Sequence, residues 1–318
     1  MQESSEKPIF AIGGPTASGK TAAAVALARA VGGEIINFDS VQIYTGIEIA
    51  TAKPSEEENG GMQHHLIAYV EPNVNYTAAD WARDAAQKIA EIESRENTVV
   101  LVGGTGFYLR TLLQPLFDSP KTDENLRERL RAIQSRHGAE HLHRMLWRVD
   151  PDAAAKLERR DYVRVIRALE VFFQTGERIS AKQPLRGSPP EFASRIQLFV
   201  LNPPRQELYK RINARTAAHF DGGLVEEVKQ LRAAGVRDDT NALGAHAYRR
   251  VCEYLRGERS LESAIEQSKQ DVRNYAKRQL TWFRRESGAV WFDGFGTDRD
   301  VQDELIRTAG EQLGVNLL

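Results

Sequence analysis

The residues best suited to chemistry lie close to the start of the chain. Gly14-Pro15-Thr16-Ala17-Ser18-Gly19-Lys20-Thr21 matches the phosphate-loop pattern G-x-x-x-x-G-K-[ST] in full. In such a loop the glycines let backbone N–H groups turn toward a polyphosphate, and the start of the following helix adds partial positive charge. Lys20 reaches the outer phosphates, and Thr21 supplies a hydroxyl to Mg2+. Residues 14–21 are therefore where a diphosphate or triphosphate is expected to sit, with Thr21 the metal ligand. The flanking elements suit them, because residues 9–12 are an apolar strand-like run and residues 22–31 are alanine-rich with helical spacing.

Residues 34–38 form a second apolar run and end in Asp39-Ser40-Val41-Gln42. Ligands of open α/β sheets bind beyond the carboxyl ends of the strands, so Asp39 is expected in the crevice that holds Lys20, as a candidate for proton transfer. A turn or N-cap aspartate is the alternative at that position. A third run, residues 98–102, ends in Gly103-Gly104-Thr105-Gly106. Hydrolytic phosphate-loop enzymes usually carry an acidic residue at such a strand end, to organise metal or water. Glycines there count against a motor or switch NTPase. They are expected instead to widen the pocket for a bulky acceptor that Thr105 can hydrogen-bond.

Composition limits the wider reading. The chain has 318 residues, 41% hydrophobic, a normal fraction for a globular protein. No apolar run approaches the length needed to cross a bilayer, and residues 1–7 are unlike a signal sequence. The lone Cys252 cannot make an internal disulfide, so a cytoplasmic protein with Cys252 in its core is expected. His64 and His65, adjacent and without a nearby cysteine, read as structural or switch residues rather than a metal pair. The net charge of -1 is unevenly distributed. Residues 1–100 carry 7 Lys+Arg against 14 Asp+Glu, whereas 127–167 carry 11 against 6 and 269–285 carry 6 against 1. Such clusters suit a polyanion, although a solvated helix face is the ordinary origin of a charge run.

The elements divide accordingly. Residues 1–115 and 196–318 read as an α/β core, a parallel sheet flanked by helices, and residues 116–195 as an inserted all-helical arm. Within that arm helices are predicted over 126–147, 151–158 and 161–174. Arg160, Arg164 and Arg167 share one side of the last, beside an apolar stripe of Val163, Ile166 and Leu169. Beyond strand 196–201, a helix over 205–219 carries Arg211 and Arg215 one turn apart. One of them can approach the phosphate loop and stabilise a departing charge, or pair with Glu207 on the surface. Helices over 221–234, 241–255 and 261–286 follow, the last with Tyr275, Trp282 and Phe283 among its cations, suited either to nucleic acid or to core packing.

Taken together, these motifs resemble one family. Gly14 to Thr21, Asp39-Ser40-Val41-Gln42 with Tyr44, Thr51-Ala52-Lys53, His64-His65-Leu66, the run from Gly103 to Leu109, Arg164-Val165-Ile166-Arg167-Ala168-Leu169-Glu170 and Ala276-Lys277-Arg278-Gln279-Leu280-Thr281-Trp282-Phe283 are similar to motifs of the bacterial tRNA dimethylallyltransferases, in the same order. The resemblance implies a phosphate-loop NTPase-like fold. It also implies transfer of a dimethylallyl group from dimethylallyl diphosphate to the exocyclic amine of the adenosine 3′ of the anticodon, with Mg2+ and release of diphosphate. By the same resemblance Asp39, Lys20 and Arg215 are catalytic. Asp39, Ser40, Val41, Gln42, Thr105, Arg127, Val163, Arg164, Val165, Ile166, Arg167, Lys277 and Arg278 contact the tRNA anticodon stem-loop, whose adenosine is flipped into a channel. Where the family reads G-Y-[KR]-[EQ], this chain has Ala247-Tyr248-Arg249-Arg250, and Asp271-Val272-Arg273-Asn274 departs from a usual threonine-arginine. These departures imply altered tRNA contacts around residues 244–249. A monomer without membrane attachment is expected. The competing readings are a phosphate-loop small-molecule kinase, which leaves the basic arm unexplained, an enzyme prenylating free adenine nucleotides, and an RNA-binding nucleotide switch.

Overall fold

The structure is a computed structural model that describes residues 7–317, so residues 1–6 of the polar opening stretch lie outside it. Among the described residues six strands form one sheet, in the order β3-β2-β4-β1-β5-β6, with every pairing parallel. They are β1 (Ile9–Gly13), β2 (Gly33–Asn37), β3 (His64–His65), β4 (Thr98–Val102), β5 (Ile196–Leu201) and β6 (Val290–Phe292). β1, β2 and β4 are buried along their whole length, as strands covered on both faces must be. Alternation divides their side chains between two cores. Ile9, Ala11, Ile36 and Leu101 pack on one face with Trp81 and Phe283, while Phe10, Ile12, Ile35 and Val100 pack on the other with Leu27 and Leu305.

The chain splits into two compact units, Met1–Leu113 with Pro190–Leu318, and Gln114–Pro189. In the first, α1 (Lys20–Val31) and α14 (Arg299–Leu313) cover one sheet face. The short α2 (Glu56–Asn59) precedes β3, and α3 (Ala78–Glu93) and α4 (Gly106–Leu113) flank β4 in sequence. Thr77 opens α3 with a capping box, each of Thr77 and Asp80 bonding the other's backbone. After β5 come α10 (Arg205–Asp221), α11 (Leu224–Ala233), α12 (His246–Leu255) and α13 (Leu261–Phe283). The helix expected from residue 221 starts three residues later, at Leu224, because Gly223 at φ 97 takes the left-handed turn between α10 and α11. Helix 241–255 starts only at His246. Among the described residues no helix is long and apolar enough to cross a membrane.

The second unit is helical, with α5 (Glu124–His137), α6 (Ala139–Val149), α7 (Pro151–Lys156), α8 (Tyr162–Thr175) and the single turn α9 (Ile179–Lys182). The one helix expected over 126–147 is two, split at Gly138, whose φ of 83 ends α5 and starts α6. Leu130, Leu142, Leu146, Val165 and Leu169 make this unit's own core. Residues 191–195, assigned to the arm by sequence, form a 3-10 turn that feeds β5 and belongs to the sheet unit.

Candidate active site

The strand order reverses around β1 and β4, and the loops leaving β1, β2 and β4 open on one sheet edge. The loop after β1 runs from Gly14 to Gly19 with left-handed backbone at Ala17 (φ 65) and Gly19 (φ 82). Left-handed residues between right-handed ones form a concave row of N–H groups that suits an anion. A side chain at Gly19 is also blocked by space, since a Cβ there would lie 2.9 Å from the Thr297 backbone nitrogen. Lys20 Nζ donates to Pro15 O at 2.7 Å, holding the ammonium over the loop. Burial pulls the Lys20 pKa down to about 8; Asp39 opposes that shift and Arg215 adds to it. Inside the loop Ser18 Oγ is fully buried and makes no hydrogen bond among the described residues.

A cavity of about 360 Å³ joins this loop to groups from six other segments, with Lys20, Thr21, Asp39, Gln42, Arg215 and Gln279 on its walls. Arg215 reaches it from α10 and donates from Nη2 to Thr16 Oγ1 at 2.5 Å. Glu207 is instead paired with Lys210, and Arg211 lies over the Phe295 ring, so of the two arginines Arg215 is the one at the phosphate loop. Burial lowers the Arg215 pKa, against the Asp39 charge, and burial with Arg215 pushes His219 down to about 4. Asp39 uses Oδ1 to accept from Val41 N at 2.9 Å and Gln42 N at 3.4 Å. The turn role thus occupies one carboxylate oxygen. Thr105 Oγ1 accepts from Ser40 N at 3.0 Å, which ties the β2 and β4 loops together.

Gln279 was not singled out by sequence, and from α13 it links two loops. Its Oε1 accepts from Thr16 N at 2.8 Å and its Nε2 donates to Gly104 O at 3.0 Å. This explains the glycine run differently from the expected widening of the pocket. A Cβ on Gly104 would meet Gln279 Nε2 at 2.0 Å, and one on Gly106 would meet the Trp282 ring at 2.2 Å. The glycines admit α13 rather than an acceptor. β4 does lie beside β1, Ile12 opposite Val102, and the strand end that carries an acid in hydrolytic relatives carries glycine here.

The IPP transferase family model matches residues 42–286 of this chain. The protein is 46% identical over 293 residues to a tRNA dimethylallyltransferase of Geobacter metallireducens, covering 92% of this chain and 94% of that one. The chain belongs to the tRNA dimethylallyltransferase family. A second relative of that name, from Myxococcus xanthus, is 46% identical over 287 residues, covering 90% and 92%. The crystal structure of the full-length tRNA isopentenylpyrophosphate transferase from Bacillus halodurans superposes with a TM-score of 0.71 at 38% identity, over 97% of this chain and 98% of the other. A eukaryotic dimethylallyltransferase solved acting on tRNA gives a TM-score of 0.75 at 26% identity, over 97% and 77%.

The residues expected to contact RNA have differently committed side chains. In the helical unit Glu170, fully buried, accepts two bonds at 3.0 Å from Arg127 and one at 2.5 Å from Arg167. Arg164 bonds Asp161 at 2.6 Å. Val165 and Ile166 are 0% and 5% exposed and belong to the core, so their side chains are not offered to a partner, whereas Val163 is exposed. In the sheet unit Gln42 Nε2 donates to Thr51 O and Ala52 O at 3.1 and 2.7 Å, pinning the Thr51-Ala52-Lys53 motif to the cavity. Arg278 lies 5.8 Å from the Tyr275 ring, and Lys277 lines another cavity, of about 510 Å³, with Arg205 and Arg284. Phe283 is core, and Trp282 is half-buried under Arg110. His65 bonds Glu34 Oε2 at 2.6 Å, and His64 faces Met62 O at 3.0 Å, so both are structural.

The two departures from the family pattern meet in space. Arg250 Nε donates to Asp271 Oδ2 at 2.6 Å, and its Nη1 reaches both oxygens of Glu253 at 2.9 Å. The guanidinium is an internal tie between α12 and α13. Ala247, 2% exposed, is packed in the core beside Tyr248, whose hydroxyl bonds Glu227 at 2.6 Å.

Proposed function

We propose that this enzyme transfers a dimethylallyl group from dimethylallyl diphosphate to the exocyclic amine of the adenosine 3′ of the anticodon in tRNA, releasing diphosphate. The observation that carries this reading is the convergence of Lys20, Arg215 and Asp39 on one cavity whose neighbouring strand end has no acid to organise hydrolysis. An aromatic amine is a weak nucleophile, so stabilising the departing diphosphate is the main task. The loop amides, Lys20 and Arg215 take up its negative charge as the C–O bond breaks. The amine nitrogen forms the new C–N bond and gives its proton to Asp39, whose Oδ2 remains outside the turn.

Mg2+ fits this donor set. Thr21 and Asp39 line one cavity, and among the described residues no group of three or more His, Cys, Asp or Glu could hold an ion. A magnesium ion held by one or two protein oxygens, with substrate phosphate and water completing the shell, is ordinary chemistry for that ion. Thr21 would hold it, and it would supply further charge neutralisation on the diphosphate. The RNA grip falls to Ser40, Thr105, Arg164, Lys277 and Arg278, and the enzyme acts as a cytoplasmic monomer. The test is mass spectrometry of an unmodified anticodon stem-loop after incubation with protein, Mg2+ and dimethylallyl diphosphate. A gain of one five-carbon unit on the adenosine 3′ of the anticodon is expected, and an unchanged RNA across several such stem-loops would reject the assignment.

A further inference from the structure

The seam between α12 and α13 leads toward the Asp39 cavity, since Gln279 of α13 lines it. His246 opens α12 with a φ of 34, a conformation that costs a residue with a side chain and persists only when its surroundings hold it. Its imidazole packs on the Tyr275 ring with centroids 4.3 Å apart and planes inclined by 55°. The ring nitrogens make no hydrogen bond among the described residues. Tyr275 lies one helical turn before Gln279 on α13, and Gln279 ties the β4 loop to the phosphate loop. One helical turn away on each helix, the Arg250–Asp271 ion pair clasps the same seam. Both rings feel the Asp39 charge, and burial, the largest effect, holds His246 below its ordinary pKa, which keeps the imidazole neutral at pH 7.

A strained, neutral, unbonded imidazole tilted against a phenol thus places two aromatic rings one helical turn from a residue that lines the cavity of the proposed base. A purine drawn out of an RNA stack loses its own stacking partners, and aromatic side chains replace them. We propose that His246 and Tyr275 form the wall on which the acceptor adenine stacks while its amine meets Asp39. This rests on the reading of Asp39 as the base of prenyl transfer. His246 then orients the base without taking part in bond making.

Two measurements on the full chain test it, kcat for transfer to the stem-loop and the fluorescence of the same RNA with 2-aminopurine at the acceptor position. That base carries its amine on another ring carbon and cannot be prenylated at the adenine amine. His246→Ala is expected to lower kcat about ten- to a hundredfold while RNA Kd stays within about threefold, because phosphate contacts dominate affinity. Its complex with the 2-aminopurine RNA should be severalfold brighter than that of the wild type, where stacking quenches the base. His246→Phe, which keeps a ring, should restore both within about threefold, and Tyr275→Leu, which keeps bulk without aromaticity, should behave as His246→Ala. Unchanged kcat and fluorescence in His246→Ala would overturn the proposal. So would a folded His246→Phe as impaired as the alanine variant. Wild-type protein that transfers nothing yet quenches in a ring-dependent way would sink the transfer reading and support the seat.

Discussion

In the sheet unit Arg215 and Lys20 are half-buried near one another, and the hydrogen bonds they make go to a threonine hydroxyl and a backbone carbonyl. In the helical unit Arg127 and Arg167 converge on one buried glutamate, and Arg164 sits on Asp161. The first arrangement leaves two desolvated cations with the nearby Asp39 carboxylate as their counterweight, and each has its pKa lowered by burial. The second is neutralised from within. Burying a charge without a close partner is costly, so the sheet unit is built to receive an anion, whereas the Glu170 cluster holds helices together.

The sharpest way to break this contrast is to remove the proposed base. Asp39→Asn keeps the oxygen that accepts from Val41 and Gln42, so the turn survives while proton acceptance is lost. Transfer should fall by about 10²–10⁴-fold with RNA affinity changed only a few-fold. Near-normal single-turnover rates would remove Asp39 from the base role. Next in size is Arg215→Ala, for which kcat should drop about 10²-fold or more. Arg215→Lys should fail to restore it, since one ammonium cannot bond Thr16 and the leaving group in the fork geometry.

A smaller effect separates the lysine from its surroundings. With a pKa of about 8, Lys20 of the free protein is cationic below that pH and neutral above it. Calorimetric affinity for inorganic diphosphate should therefore hold at lower pH and weaken about three- to tenfold as pH rises from 7 to 9. Lys20→Arg should flatten that profile if the site accepts the larger head. The smallest effect tests the other half of the contrast. Glu170→Ala leaves two half-exposed arginines without their acid, and chemical denaturation should read a loss of about 2 kcal/mol, below the full cost of a buried unpaired charge because both guanidinium groups can turn to water. No change would mean that Glu170 does not hold the helices.

Much of the site was legible from residue order alone, because strand, loop and helix signals around Gly14 to Thr21 fix a local geometry that needs no distant contact. Asp39 followed from its place at a strand end. What sequence could not supply were groups that act by arriving from elsewhere in the chain. Gln279 is an unremarkable polar residue until the fold carries it 263 positions back to Thr16. The glycines at 104 and 106 read as open space, whereas they are filled by residues of α13. Arg250 and Asp271 looked like two independent departures and are one ion pair. In the arm, a helical pattern ran through Gly138 because the residues on either side are both helix formers, and only the positive φ there divides them.

The most direct test of the phosphate loop's assignment is the stoichiometry of a single turnover, run with Mg2+, a stem-loop RNA, dimethylallyl diphosphate and ATP together. One diphosphate released for each five-carbon unit gained by the RNA, with ATP intact, is the predicted result. Orthophosphate or ADP formed from ATP while the RNA stays unmodified would contradict the account and return the loop to nucleotide chemistry.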